Sequence, residues 1–429
     1  MRYALTHAAV FDAVHAEELR RDCTVLTDGE TIAAVQDAGQ PIPEGFEALD
    51  LTGKTLVPGL VNLHAHLFGT GKPSKTLGGG GAQRALVGFI HTAAGRPVVD
   101  SMVRHHVLQS LNSGVTTIRS SGDFCYSDVR VRDAINAGKY PGPRLLVPGP
   151  AITCVGGHGD GTFAEVSDDP AALAAYVDVR KSNRVDYIKI CVTGGVMDAK
   201  VRGEPGVVKM TPEQTKAVCG RAHALGFRVA SHTESSAGIR VALEGGVDTV
   251  EHGSFLDDEL VALFKARGSA FIVTISPALP LAKLPASITQ LNELCLYNSG
   301  VVLDGMISGA KRALAEGLPV GLGTDESCPL VTPYAMWREV YFFVKYCGVS
   351  PGFALQTATL KNARIAGIGD VTGSIEPGKS ADLVAVDGDP LDDLRTLETP
   401  RLVMARGNLL RNPQVRRNPQ IDAWLDSLM

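Results

Sequence analysis

Four histidines, one aspartate and one lysine stand at or near the ends of short apolar runs, and together they could hold divalent cations. His64 and His66 close Val57-Pro58-Gly59-Leu60-Val61-Asn62-Leu63 at i and i+2, a spacing that points both imidazoles to one side of a strand. Alone, such a pair also arises by chance in a loop. His232 closes Val229-Ala230-Ser231, His252 closes Thr249-Val250-Glu251, and Asp325 closes Gly321-Leu322-Gly323-Thr324. Imidazole nitrogen together with carboxylate oxygen suits Zn²⁺ or a similar borderline ion.

Lys189 is the unusual member, because Asp186-Tyr187-Ile188-Lys189-Ile190-Cys191-Val192 otherwise reads as a buried strand and an unpaired ammonium there is costly. A neighbouring carboxylate could pair with it. Alternatively, burial and nearby cations lower its pKa, so that it loses a proton and adds CO₂, giving an anionic carbamate able to bridge two metals. His158, in Gly156-Gly157-His158-Gly159-Asp160-Gly161, lies in a loop that could carry it to a substrate or leave it on the surface. Tyr187 and Cys191 alternate with Lys189 and receive no role. His7, His15, His91, His105, His106 and His223 fall in flanks or helical segments, where surface or packing roles are the expectation.

The elements that must position these groups repeat one theme, a short apolar run followed by a longer amphipathic segment, as parallel strands joined by helices do. Eight strands are predicted, over 56–63, 115–119, 144–148, 187–192, 228–232, 249–252, 270–275 and 319–324. In a closed (β/α)₈ TIM barrel, their C-terminal ends meet at one mouth, where barrel enzymes carry their active sites. Thr211-Pro212-Glu213-Gln214 predicts a capped helix start that Gly226 stops, and Ser350-Pro351 opens another helix. The segment from Gly69 to Gly95, with Gly78-Gly79-Gly80-Gly81, reads as a long loop. Both flanks read as short strands between turns, and are expected to pair as a small β-sandwich from discontinuous sequence. The division is then 1–56 for the first part of the sandwich, 57–367 for the barrel, and 368–429 for the second part and a tail.

The chain has 429 residues, more than the roughly 100–200 of a typical domain, which leaves room for a barrel with attachments. Its 41 basic and 46 acidic residues nearly balance and form no long basic run, which argues against nucleic-acid binding. The eight cysteines contain no C-x-x-C pair, so neither a disulfide framework nor a zinc ribbon is indicated and a reducing compartment fits best. With neither a secretory h-region nor 18 consecutive apolar residues, the expectation is a soluble, cytoplasmic protein without membrane contact. Self-association is left open.

The segments His64-Ala65-His66, Tyr187-Ile188-Lys189-Ile190 before Thr193-Gly194-Gly195-Val196-Met197, Glu251-His252-Gly253 and Gly323-Thr324-Asp325 resemble the amidohydrolase superfamily over nearly the whole chain. They are most similar to its binuclear branch of prolidases and related carboxypeptidases, with a likeness to imidazolonepropionase-type members as well. Gly373-Ser374-Ile375-Glu376-Pro377-Gly378-Lys379 resembles the start of the strand completing the sandwich. The resemblance implies that His64, His66 and Asp325 hold one zinc ion, that His232 and His252 hold a second, and that carboxylated Lys189 bridges them. It implies hydrolysis of an amide bond in a small molecule, a dipeptide or N-acyl amino acid. A metal-bridged hydroxide would attack, with Asp325 as general base and then acid and with His158 at the oxyanion. Opening of a cyclic amide, deamination of a heterocycle, and a barrel retained only for binding are the alternatives. Prolidase-like relatives often carry an aromatic hydroxyl where this chain has Glu234, which could select a cationic substrate group or pair with Arg240 or another base.

Overall fold

Every residue of Leu60–Ala65 is buried, as a strand covered on both faces requires. In the computed structural model, which describes residues 1–73 and 81–429, this strand pairs in parallel with Val115–Ser120, and that strand with Arg144–Leu146. A second parallel sheet runs in the order Ala164–Val166, Ala151–Thr153, Ile188–Cys191, Val229–Thr233, Thr249–His252, Ala270–Val273, Val320–Leu322. The two sheets meet through the backbone. At one seam the Asp325 amide donates to the His64 carbonyl at 2.8 Å, and the His66 amide to the Glu326 carbonyl at 3.0 Å. At the other, the Asp186 amide donates to the Val147 carbonyl at 2.8 Å. The Asn362 side-chain amide ties the first seam from below, donating to the carbonyls of Val61 and Leu322 at 2.6 and 2.8 Å.

All eight predicted strands overlap observed ones, but the first is divided. Lys54–Pro58 belongs to a different sheet, and the parallel strand begins at Leu60. Proline has no amide to continue a ladder, and Gly59 lies so near Thr116 that a Cβ would sit 2.0 Å from its hydroxyl. The helix Pro212–Ala224 has the predicted capping box, with Thr211 accepting from the Gln214 amide and Gln214 answering at the Thr211 amide. Ser350 likewise caps Pro351–Gln356.

The flanks form one eight-stranded sheet, five strands from the N-terminal side and three from the C-terminal side. They join where Lys54–Pro58 runs antiparallel to Leu383–Asp387, over a shared apolar layer including Leu5, Val25, Ile32, Leu56, Leu383 and Met404. The predicted loop from Gly69 to Gly95 is corrected: Gly81–Ile90 is helical and Gly95 opens the next helix. Ala85 and Leu86 favour a helix, and Ile90 is buried at its end, a pattern hidden by the neighbouring glycines. Gly78, Gly79 and Gly80 lie outside the described residues. No helix among the described residues is long and apolar enough to cross a membrane.

Candidate metal centre

The structure brings His64, His66 and Asp325 together, one ligand atom of each lying within 4.8 Å of the others, and does the same for His232, Glu234 and His252. The two groups adjoin: the His64 and His252 rings are 4.7 Å apart by centroid, as are those of His232 and His252. Each imidazole has one nitrogen committed to the protein. His64 Nδ1 donates to Glu251 Oε2 at 2.6 Å, and His66 Nδ1 donates to the Gly122 carbonyl at 2.8 Å. His252 Nδ1 lies 2.7 Å from Thr274 Oγ1, and His232 Nε2 donates to the Gly194 carbonyl at 3.2 Å. The other nitrogen of each ring keeps its lone pair for a ligand. That is how metal-binding histidines are oriented and held in one tautomer.

Unusual backbone makes this convergence possible. His252 and Asp325 both take left-handed conformations, with φ of 67° and 55°, uncommon outside glycine although His and Asp are among the residues that tolerate them, and such conformations cluster at functional sites. The twist at His252 breaks strand alternation, so Glu251 reaches His64 while the next residue turns to the same centre. Gly323 lets the last strand close on the first, since a Cβ there would lie 2.4 Å from that of His64.

Burial shapes the charges. It pushes the Lys189 ammonium below its usual pKa, Glu251 and Asp325 opposing only in part. Lys189 is 2% exposed and its Nζ has no hydrogen-bond partner. Burial also drives His66 down to about 3 and His232 and His252 well below the usual imidazole value, leaving them neutral, as ligation requires. For Asp325, burial favours the acid but the surrounding His64, His252 and His66 outweigh it, and the carboxyl falls well below its usual value. Burial lifts Glu234 to about 8, the nearby Asp325 and Asp198 reinforcing the effect. Three buried atoms here lack partners, Lys189 Nζ, Asp325 Oδ1 and Glu234 Oε2. Orphaned acceptors beside four free imidazole lone pairs fit divalent cations, and a partnerless amine whose pKa burial lowers fits carboxylation.

The Amidohydrolase family profile matches residues 55–410. The chain belongs to that family. A candidate prolidase from Bifidobacterium longum of solved structure is 39% identical and superposes with a TM-score of 0.87, covering 99% of this chain and 98% of its own. A Xaa-Pro dipeptidase with methionine bound in its active site is 28% identical, with a TM-score of 0.84 over 96% of this chain and 100% of its own. Ochratoxinase of Aspergillus niger is 24% identical across 99% of this chain and 88% of its own. This amidohydrolase is therefore a hydrolase of amide C–N bonds, and its family uses divalent metal.

Within the amidohydrolase frame, His158 stacks on His232, with centroids 4.1 Å apart and planes 8° from parallel. Its Nδ1 bonds Asp198, whose other contact is the Gly195 amide. Burial lowers the His158 pKa, yet Asp198 outweighs it and favours the protonated ring. The pairing of Glu234 with Arg240 does not occur, because Arg240 faces Glu259 and Asp257 at 2.8 and 3.8 Å, on the exposed side. Sequence reasoning missed several groups. Glu251 joins His64 to Arg119, which donates to Glu251 Oε1 at 2.8 Å and to the Leu63 carbonyl at 2.7 Å. Cys328 donates to Asp325 Oδ2 at 3.2 Å, and Asp198 holds His158. Only Glu251 had a local signal, an acid inside an apolar run.

Proposed function

We propose that this amidohydrolase cleaves the amide bond of a dipeptide or N-acyl amino acid at a binuclear zinc centre. His64, His66 and Asp325 hold one ion, His232 and His252 the other, and a carbamate on Lys189 joins them. The supporting observation is that all four imidazoles are oriented by protein partners so that each leaves a lone pair for the centre, beside ionised Asp325. The partnerless Lys189 Nζ, whose pKa burial lowers toward the free amine, supports the carbamate: the deprotonated nitrogen adds to CO₂ and a proton leaves to solvent. The likeness to a Xaa-Pro dipeptidase and a candidate prolidase favours the small-peptide reading. We also read eight of the ten strands in the two seamed parallel sheets as one closed barrel over 57–367, with Ala151–Thr153 and Ala164–Val166 as an added pair beside it, and the flank sheet as a small β-sandwich.

Bound zinc lowers the pKa of water toward neutrality and polarises a carbonyl. Asp325 takes the proton of the attacking water and returns it to the leaving amine, acting first as base and then as acid. His158, aimed by Asp198, which favours its protonated form, would donate to the carbonyl oxygen as negative charge develops there. The test is turnover of dipeptides, N-acyl amino acids and lactams by zinc-loaded protein. Release of an amino acid from the linear substrates supports the proposal, whereas activity confined to lactams replaces it with cyclic amide opening.

A further inference from the structure

We propose that Glu234 is a direct ligand of the second cation, so that each half of the centre is a two-histidine, one-carboxylate site. This rests on the binuclear reading above and extends it to a residue that the resemblance leaves without a role.

Four observations carry it. A Glu234 oxygen lies within 4.8 Å of the ligand nitrogens of both His232 and His252, the same closeness that unites His64, His66 and Asp325. Its Oε2 is buried without a hydrogen-bond partner. Arg240, the base that might have neutralised it, is engaged elsewhere. The backbone also fixes the carboxylate's approach: the Glu234 amide donates to Thr193 Oγ1 at 3.0 Å, and Gly206 packs so closely that a Cβ there would lie 2.4 Å from the Glu234 carbonyl.

Charge and coordination agree with this geometry. Two neutral imidazoles leave a divalent ion uncompensated in a buried site, and a carboxylate supplies both an anionic oxygen and the third protein ligand of the His₂Glu type that zinc accepts. Asp325 performs that service in the first half. Glu234 performs it in the second, so that both cations keep a protein carboxylate whether or not Lys189 is carboxylated.

The experiment titrates metal-free full-length protein with Co²⁺, followed by visible absorption, and measures bound zinc after dialysis against a weak chelator. Wild type should hold two equivalents. Glu234→Gln should keep the first and lose affinity for the second by more than the roughly 10–100-fold typical of removing an outer partner. Retention of the first equivalent reports an intact fold. Glu234→Asp, with its carboxylate on a shorter arm, should fall between the two. Two equivalents in wild type with equal second-ion affinity in all three proteins overturn the ligand assignment alone. One equivalent or none in wild type overturns the binuclear reading and this inference together.

Discussion

The His64 half of the centre is clamped by the protein on several sides, whereas the His232 half is left partly open. In the first, His64 is fixed through Glu251 to Arg119, His66 to a carbonyl, and the Asp325 backbone to His64 itself. In the second, His252 has Thr274 and His232 a longer bond to Gly194, while Glu234 Oε2 has no partner, as Asp325 Oδ1 has none in the first and Lys189 Nζ none between them. The first half is a preformed cage. The second has fewer protein partners holding its ligands, and its orphaned Glu234 oxygen, with the Lys189 amine beside it, carries an unrecovered desolvation cost that a cation and a carbamate would relieve. Stability of the second half should therefore depend far more on metal than that of the first.

The largest effect falls in the clamped half. Asp325→Asn removes both the proton carrier and a ligand of the caged ion, and kcat should drop by about 10²–10⁴-fold or more. Steady-state kinetics on zinc-loaded protein check this, with circular dichroism confirming the fold. A fall of less than tenfold would move the proton-transfer role to another group. Lys189→Met comes next and separates the halves. It should bind one zinc tightly and lose the other, while the metal-free variant melts no lower than metal-free wild type because a buried amine has been replaced by an apolar chain. Thermal melts with and without zinc measure the contrast, and an equal zinc-dependent rise in both proteins would refute it.

The ends of the strands were legible because buried parallel strands are near-continuous apolar runs, against which His232, His252 and Asp325 stand out. The capped helix at Thr211 was legible for a local reason too, its reciprocal bonds spanning three residues. What holds the ligands was not. Glu251 reaches His64 across 187 positions and Arg119 across 132, contacts set by register between distant strands. The left-handed backbone at His252 and Asp325 carries no local signature either, since neither is glycine. Glu234 was visible as a departure from the family pattern, but only its distances to His232 and His252, and the engagement of Arg240 elsewhere, give it a place.

Glu251→Gln tests the cage itself. A neutral amide accepts more weakly from His64 and leaves the Arg119 guanidinium without its anion, so the first ion should bind about 10–100-fold more weakly. The second should change less. Competition with a chromophoric chelator resolves the two affinities, and a larger loss at the second would reverse the assignment of Glu251 to the first half.

The smallest effect concerns Glu326, next to Asp325 but turned toward the outer helix, where Ser110 Oγ donates to it at 3.3 Å and Oε1 has no partner. Burial holds its carboxyl up to about 8, from an ordinary value of 4.5. The folded protein thus keeps a proton that the unfolded chain has released across that interval. Stability from this group is complete below about 4.5 and is lost progressively as pH rises toward 8, above which it changes no further. Glu326→Gln should remove that slope, leaving the variant more stable than wild type by about 3–6 kcal/mol at pH 9 and nearly equal at pH 4. Denaturant unfolding of the metal-free proteins at both pH values measures the difference. An unchanged slope would mean that the folded protein already carries Glu326 as its anion, with a partner taken up from solvent.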